Sequence, residues 1–368
     1  MSEVLTRWTP AALRHASALI VKAAGSSAHE AQAVADNLVM ANLKGHDSHG
    51  VGMLPRYIDA VAEGGLIPNN GVAVTLDIGS LLTLDGQRGY GQVVGGQAMA
   101  LGIERALQHG SCIMAVGQSH HLGRIGHWAE MAVDAGLVSL HFANVLAQPV
   151  VAPWGGADGR FGTNPCCIGL PLTGRQPFIL DFATSRVAQG KMRVAHNEGR
   201  QVPPGFLIDT HGNPSTDPGV VVVPQEPGPF GNLFGALMPF GEHKGFGLSV
   251  ACELLGGALT GGGTWNGHNK AGKAFYNGML TILIDPKRLG TSADFEREAE
   301  GFMTWLDAAP PAPGTDEVLT AGEPERRTQA MREVNGIAVD PQTMAELNRA
   351  AASVGASDWM SAGTGVIA

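Results

Sequence analysis

Between Leu81 and Phe182, short apolar runs alternate with stretches of helical spacing, and this alternation limits the possible folds more than any other feature of the chain. Leu81 to Leu84 reads as a strand, and Asp85-Gly86-Gln87-Arg88-Gly89-Tyr90-Gly91 as a turn. Met99, Ile103 and Leu107 mark one face of a helix that should end near Gly110. Ile113 to Val116 is a second apolar strand, Gly126 to Ala135 a helix, and Leu137 to Phe142 a third strand. Cys167 to Leu172 and Phe178 to Phe182 complete the set around a polar turn. Apolar strands separated by helices need both faces of their sheet covered, so the expected fold class is α/β.

The flanks read differently. Thr9-Pro10 is an N-cap followed by proline, opening a helix with Leu13, Ile20 and Ala24 on one face until Gly25. Ser27-Ala28-His29-Glu30 fits a capping box for a second helix to about Leu43, and Tyr57 to Glu63 fits a short third one. Residues 66–80 resemble an extended connection, and 200–230 a loop rich in proline and glycine. Leu248 to Leu259 is an apolar helix, Met279 to Ile284 a strand, Pro310 to Pro313 a linker, and Asp340 to Ala352 a terminal helix. The chain therefore divides into a helical segment (1–75), an α/β core (76–310) and a C-terminal segment (311–368) that packs back on the first. A chain of 368 residues is long enough for more than one core.

A formal net charge of −9 argues against a nucleic-acid partner. No run reaches the roughly 18 apolar residues of a membrane helix. Met1 to Arg7 lacks the apolar core of a secretion signal, and Cys112, Cys166, Cys167 and Cys252 sit in apolar surroundings without CxxC spacing. Reduced thiols in a cytoplasmic protein are the expectation.

Two turns carry the chemistry. The first, Gly45-His46-Asp47-Ser48-His49-Gly50, begins where the second helix ends; the second, Ser119-His120-His121-Leu122-Gly123-Arg124-Ile125-Gly126, follows an apolar strand. Imidazoles on glycine-flanked turns can move a proton near neutral pH, and the two turns are expected to meet across an active site. His46 and His49 have a spacing that can bind metal on a helix, but no further Cys, His or carboxylate cluster completes a ligand set, so no metal is expected. Helix capping by imidazole is the structural alternative. Gly89-Tyr90-Gly91-Gln92-Val93-Val94-Gly95 has GxGxxxG rather than GxGxxG spacing and is not a Rossmann fingerprint; no Walker loop, GxSxG elbow or HExxH helix occurs. Arg160 to Pro165 and Asp181 to Ser185 put small polar residues at strand ends, where they could meet a phosphate or ribose. His243-Lys244-Gly245-Phe246-Gly247 offers a cation before a helix, a candidate anion site.

Taken together, these motifs resemble the malate/L-lactate dehydrogenases of the second, non-Rossmann type, from the N-terminal helices through Gly322-Glu323-Pro324-Glu325 to Asn335-Gly336-Ile337. The resemblance implies a three-layer α/β/α core with a mixed sheet, joined by a helical domain from the two terminal segments. It also implies a homodimer and hydride transfer between NAD or NADP and a 2-hydroxy or 2-oxo acid. It places cofactor contacts at His49, Gly123, Arg124, Ile125, Ile179, Leu180, Asp181, Phe182, Ala183, His243, Lys244, Asn277, Gly322, Glu323, Pro324 and Glu325. It leaves two claimants for the catalytic histidine, His121 and His49. The expected division makes His121 the proton donor, with Asp181 on its far ring nitrogen, and has His49 orient nicotinamide and substrate beside Ser48. Several relatives carry an arginine where this chain has Met53, so Arg56, Lys44 and Arg124 compete for the substrate carboxylate, with Thr163 nearby. The same fold also serves reductases of cyclic imine acids and ureidoglycolate-type dehydrogenases. A ligand-binding protein without chemistry would have no need of the histidine turns.

Overall fold

The computed structural model describes residues 6–228, 231–266, 275–360 and 366–367; the expectation made on Met1 to Val4 and Leu5 lies outside these residues. Thr9 Oγ1 accepts from the Ala12 amide at 3.2 Å and Pro10 fixes the first helical φ, giving α1 (Pro10–Ala23). Ser27 caps α2 (Ala28–Leu43) through the Glu30 amide. The expected capping box is only half formed, because the Glu30 carboxylate accepts instead from the Asn69 amide at 2.8 Å, while Asn69 Oδ1 takes the Ser27 amide. α3 (Leu54–Ala62) follows the first histidine turn.

A seven-stranded sheet forms from β1 (Ala73–Ile78), β2 (Leu81–Asp85), β3 (Ser111–His120), β4 (Val138–Leu146), β5 (Cys166–Leu170), β6 (Phe178–Phe182) and β7 (Tyr276–Ile284). Its spatial order is β1-β2-β3-β7-β4-β5-β6; only β2 and β3 are parallel, so the sheet is mixed. β1 corrects the reading of 66–80 as a bare connection, and the division between residues 75 and 76 falls inside it. It is an edge strand with mostly exposed side chains, which removes the buried alternation that marks a strand in sequence.

α4 (Gly91–His109) and α5 (Gly126–Asp134) cover one face of the sheet, burying Met99, Met114, Val116, Trp128 and Met279 between them. Then come α6 (Gln189–Asn197), α7 (His243–Cys252), α8 (Pro286–Leu289), α9 (Ser292–Asp307), α10 (Glu323–Asn335) and α11 (Pro341–Ser353). The apolar run expected at Leu248 to Leu259 starts earlier, at His243, and passes into a π-helical turn, Glu253–Ala258. There Gly256 lies against the backbone of Phe142 and Asn144, too close for any side chain. This turn covers the second face of the sheet around Asn144 and Gly278 only. Beyond it, a row in register across all seven strands stays uncovered or half-covered: Ile78, Leu81, Ile113, Ile282, Leu140, Ile168 and Leu180.

Residues from both termini share a second core, in which Leu13, Ile20, Leu38, Tyr57, Leu347 and Trp359 are buried. A third, smaller core reaches into the stretch read as loop: α6, within the run 186–199 that reads as helix in sequence, joins the 3₁₀ turn Pro218–Val221 and the short strands Leu207–Ile208 and Ala236–Leu237 to bury Met192, Val220 and Leu237. The main cavity opens between these cores.

Candidate active site

The first histidine turn is held by side chains of α2 and α10. α2 ends at Leu43, Gly45 takes a left-handed φ of 81°, and two 3₁₀ turns follow, Asp47–His49 and Val51–Met53. Asn42, buried in the last turn of α2, spans both: its Oδ1 accepts from the Val51 amide at 2.9 Å and its Nδ2 donates to Asp47 Oδ1 at 2.6 Å. Arg332 of α10 clamps the Asp47 carboxylate from outside at 2.7 and 3.0 Å. A side chain at Gly50 would overlap the Asn42 amide, so glycine is required there by close approach. Ser48 packs against Gly190 in the first turn of α6.

The second turn begins two residues later than read, because β3 runs on to His120. Asn277 on the neighbouring strand β7 fixes the chain just beyond His121, with Oδ1 accepting from the Leu122 amide and Nδ2 donating to the Asn144 carbonyl, both at 2.8 Å. His121 therefore projects toward the first turn. Its Nε2 lies 3.3 Å from His49 Nδ1, with the rings stacked at 5.3 Å between centroids and 11° between planes. On the far side, Tyr57 Oη lies 2.7 Å from His121 Nδ1, and Gln92 Nε2 donates to Tyr57 Oη at 2.9 Å. This corrects one expected role: Asp181 is not the partner of the far ring nitrogen, because its Oδ2 accepts from the Gly126 amide at 2.7 Å and Tyr57 takes that place.

Burial dominates the electrostatics of the imidazoles. It lowers His49 to about 4, helped by the positive charges of His46 and Arg124, and holds His121 well below its usual value, helped by His49. Both are neutral at pH 7. Tyr57 is pushed upward by burial and stays a phenol.

The opposite wall is ionic. Lys44 Nζ and Arg124 Nη2 reach the two oxygens of Glu130 at 2.7 and 2.6 Å, and Arg124 Nη1 lies 3.9 Å from Asp181. Burial alone would raise Glu130, yet Arg124 and Lys44 outweigh it and hold the carboxyl below its usual range. Asp181 is raised by burial despite Arg124. His46 Nε2 lies 3.2 Å from Glu325.

These walls enclose a cavity of about 780 Å³, lined by His49, His121, Ser48, Lys44, Arg56 and Thr163 among the residues singled out in sequence, with Gly123, Arg124, Ile125, Asp181, Phe182, Ala183, Asn277, Pro324 and Glu325. Gly322 and Glu323 stand behind the wall, Gly322 packing on Ile179 and Glu323 paired with Arg327. Ile179 and Leu180 belong to the supporting strand β6. His243 and Lys244 are exposed at the start of α7 and do not line the cavity; Glu242, at a φ of 60°, turns the chain outward there. Sequence reasoning missed Tyr57, Gln92, Phe275 and the α6 cations Lys191 and Arg193, of which Phe275, Lys191 and Arg193 line the cavity. Among the described residues no group of three His, Cys, Asp or Glu side chains is placed to hold a metal ion.

A nicotinamide dinucleotide fits this lining. Gly123, at a φ of 73°, gives the loop its left-handed turn, and Gly126 leaves room for the Arg124 guanidinium and the Asp181 carboxylate to pack against the loop. Ile125, Phe182 and Phe275 offer apolar faces to rings, Asp181 and Glu325 offer acceptors to hydroxyls, and Lys191 offers positive charge to a phosphate.

Fold and cavity together describe an α/β protein with a mixed sheet and a pair of imidazoles on its cavity wall. The chain belongs to the malate/L-lactate dehydrogenase family, whose model matches residues 8–348. It is 44% identical over 333 residues to hydroxycarboxylate dehydrogenase B of Escherichia coli strain K12, covering 90% of each chain. It is 42% identical over 326 residues to an L-lactate dehydrogenase of Cupriavidus necator, covering 87% of this chain and 90% of the relative. Among solved structures, the sulfolactate dehydrogenase of Methanocaldococcus jannaschii superposes with a TM-score of 0.81 at 30% identity, covering 95% of this chain and 97% of the other.

Proposed function

We propose that this chain interconverts 2-oxo and 2-hydroxy carboxylic acids with NAD or NADP, working as a cytoplasmic homodimer. The observation that carries the reading is the stacked His121–His49 pair on the cavity wall, close to the Arg56 guanidinium. Three cations competed for the substrate carboxylate. Lys44 and Arg124 are both engaged by Glu130, whereas Arg56 forms no ion pair among the described residues and rests 4.9 Å above the Phe275 ring. Arg56 therefore binds the carboxylate, a match of planar fork to planar anion.

When bound, the nicotinamide supplies or takes the hydride. Arg56 and Phe275 orient the acid so that its carbonyl or hydroxyl oxygen meets the imidazole pair. His121 holds the proton that this oxygen gains on reduction or gives up on oxidation, and His49 with Ser48 keeps the reacting groups in line. The apolar side chains Ile125, Val145 and Phe275 in the lining limit water at the reacting carbon.

Consumption of reduced cofactor, followed by its near-ultraviolet absorbance against a panel of 2-oxo acids and cyclic imine acids, tests the reading. The 2-oxo acids should turn over fastest. Faster reduction of the imines would replace the substrate class, and a protein that neither turns over nor binds cofactor would be a binder without chemistry. The homodimer is supported by the uncovered isoleucine and leucine row of the sheet, a face suited to a second copy. Light scattering should give twice 38.2 kDa, and the monomer mass would refute it. Buried, unpaired thiols suit a reducing compartment.

A further inference from the structure

We infer that Tyr57, backed by Gln92, is a positioning residue that fixes the single proton of neutral His121 on Nε2, the nitrogen that faces His49 and the cavity. The inference rests on the reading of His121 as the proton-handling group, but the arrangement it describes can be measured without turnover.

The argument is one of hydrogen-bond direction. A phenol has one proton to donate and can also accept. Gln92 Nε2 donates to Tyr57 Oη at 2.9 Å, and an amide nitrogen can only donate. The Tyr57 proton is then free for its other neighbour, His121 Nδ1, at 2.7 Å. A ring nitrogen that accepts carries no proton, so neutral His121 has its N–H on Nε2. That N–H points to His49 Nδ1 at 3.3 Å, which in turn leaves the proton of neutral His49 on its own Nε2. The four groups form one chain with a single direction: Gln92 to Tyr57 to His121 to His49.

The surroundings support a fixed direction. Tyr57, Gln92 and His121 are buried, and the groups packed against the pair are aromatic or cationic rather than acidic: His120 from β3, Tyr90 before α4, Phe275, Arg56 from α3 and Arg124. No carboxylate is among these neighbours to draw a proton to Nδ1. The contact between His121 and His49 is the longest of the three, so a substrate oxygen can compete for the Nε2 proton. Nε2–H is thus placed to hydrogen-bond the carbonyl oxygen of a 2-oxo acid, and the proton delivered on reduction is one that His121 takes up from solvent as the imidazolium, so that the ring ends neutral. An imidazole with the opposite tautomer would offer that oxygen only a lone pair.

The test is ¹⁵N NMR of histidine-labelled protein at neutral pH, with His121 assigned by the signals lost in His121→Asn. The wild-type ring should show an unprotonated Nδ1 and a protonated Nε2. In Tyr57→Phe the two tautomers should mix, and kcat should fall about tenfold to hundredfold, the usual cost of losing the outer partner of a working imidazole, while KM for the acid stays near wild type. Gln92→Met, which keeps the phenol and removes the amide that sets its direction, should mix the tautomers to a smaller extent. A wild-type His121 carrying its proton on Nδ1 would overturn the inference, whatever the variants do. So would a Tyr57→Phe protein with unchanged ring signals. A protein with the expected tautomer and no activity on any acid would leave the positioning intact and remove the proposed function.

Discussion

The two walls of the cavity solve the problem of burying polar groups in opposite ways. At the imidazole wall, Gln92, Tyr57, His121 and His49 are all uncharged and are joined by hydrogen bonds of defined direction. At the opposite wall, Lys44 and Arg124 face Glu130, and Arg124 also faces Asp181, as ion pairs. An imidazole that takes up one proton from solvent and passes it to a substrate alkoxide ends uncharged. An ion-pair chain instead holds a loop in place and presents charge to a bound anion. Under the proposed function, chemistry and binding fall to different physical devices within one cavity.

Substitutions can break each wall separately. The largest effect is expected at the neutral wall: His121→Asn should lower kcat by about 10²–10⁴, the usual loss for an acid–base group, with cofactor affinity nearly unchanged in a fluorescence titration. His49→Asn should weaken cofactor binding as well as rate. Near-normal kcat in the first variant, or intact cofactor affinity without turnover in the second, would exchange the two roles. At the ionic wall, Glu130→Ala strands two cations, one of them the Arg124 side chain at 2% exposure. Breaking such a pair should cost roughly 2–4 kcal/mol of stability in denaturant unfolding, while kcat at low temperature changes much less. Unaltered stability would show that this wall is solvated and not a true counterpart to the other.

Arg56→Ala should raise KM for the acid by roughly tenfold to hundredfold, the loss expected for a charge-assisted contact, and Arg56→Lys should recover part of it. An unchanged KM would pass the carboxylate instead to Lys191 or Arg193, which also line the cavity. The smallest effect concerns pH. His49 titrates near 4 in the folded protein and near 6.5 when unfolded, so between these values the unfolded chain binds more protons. Stability should therefore fall as pH drops from 6.5 towards 4, and buried His120 and His141, both near 3, extend the loss further. Melting temperatures across this range would check the sign, and a His49→Asn variant should show a shallower decline.

Much of this was legible in the chain. The two histidine turns announce themselves because glycine and histidine cluster where an apolar periodicity stops, and local signals of that kind survive in sequence. Thr9, Ser27 and Pro10 mark helix starts for the same reason. Tyr57 and Gln92 were invisible as site residues, because each sits on an ordinary helical position and acquires its role from partners 64 and 35 residues away. The partner of His121 was assigned to a carboxylate by analogy; nothing local distinguishes Asp181 from Tyr57, and the backbone amide of Gly126 had the stronger claim on Asp181. α9 and α10 went unmarked since neither buries more than an occasional side chain, which leaves no apolar stripe to detect. Pro10-like signals were absent from β1 too, whose exposed apolar residues lie on a sheet edge.

The position of β7 in the middle of the sheet has a temporal consequence. Its neighbours β3 and β4 are made more than a hundred residues before it, yet they touch each other only through it. During synthesis the two halves of the sheet must wait, with a strand-wide gap between them, until Tyr276–Ile284 leaves the ribosome. Asn277 arrives on that same strand and ties down the Leu122 amide beside His121. Closing the sheet and setting the proton-handling loop are therefore a single late event, so a nascent chain ending before residue 276 has both histidine turns and no working site between them.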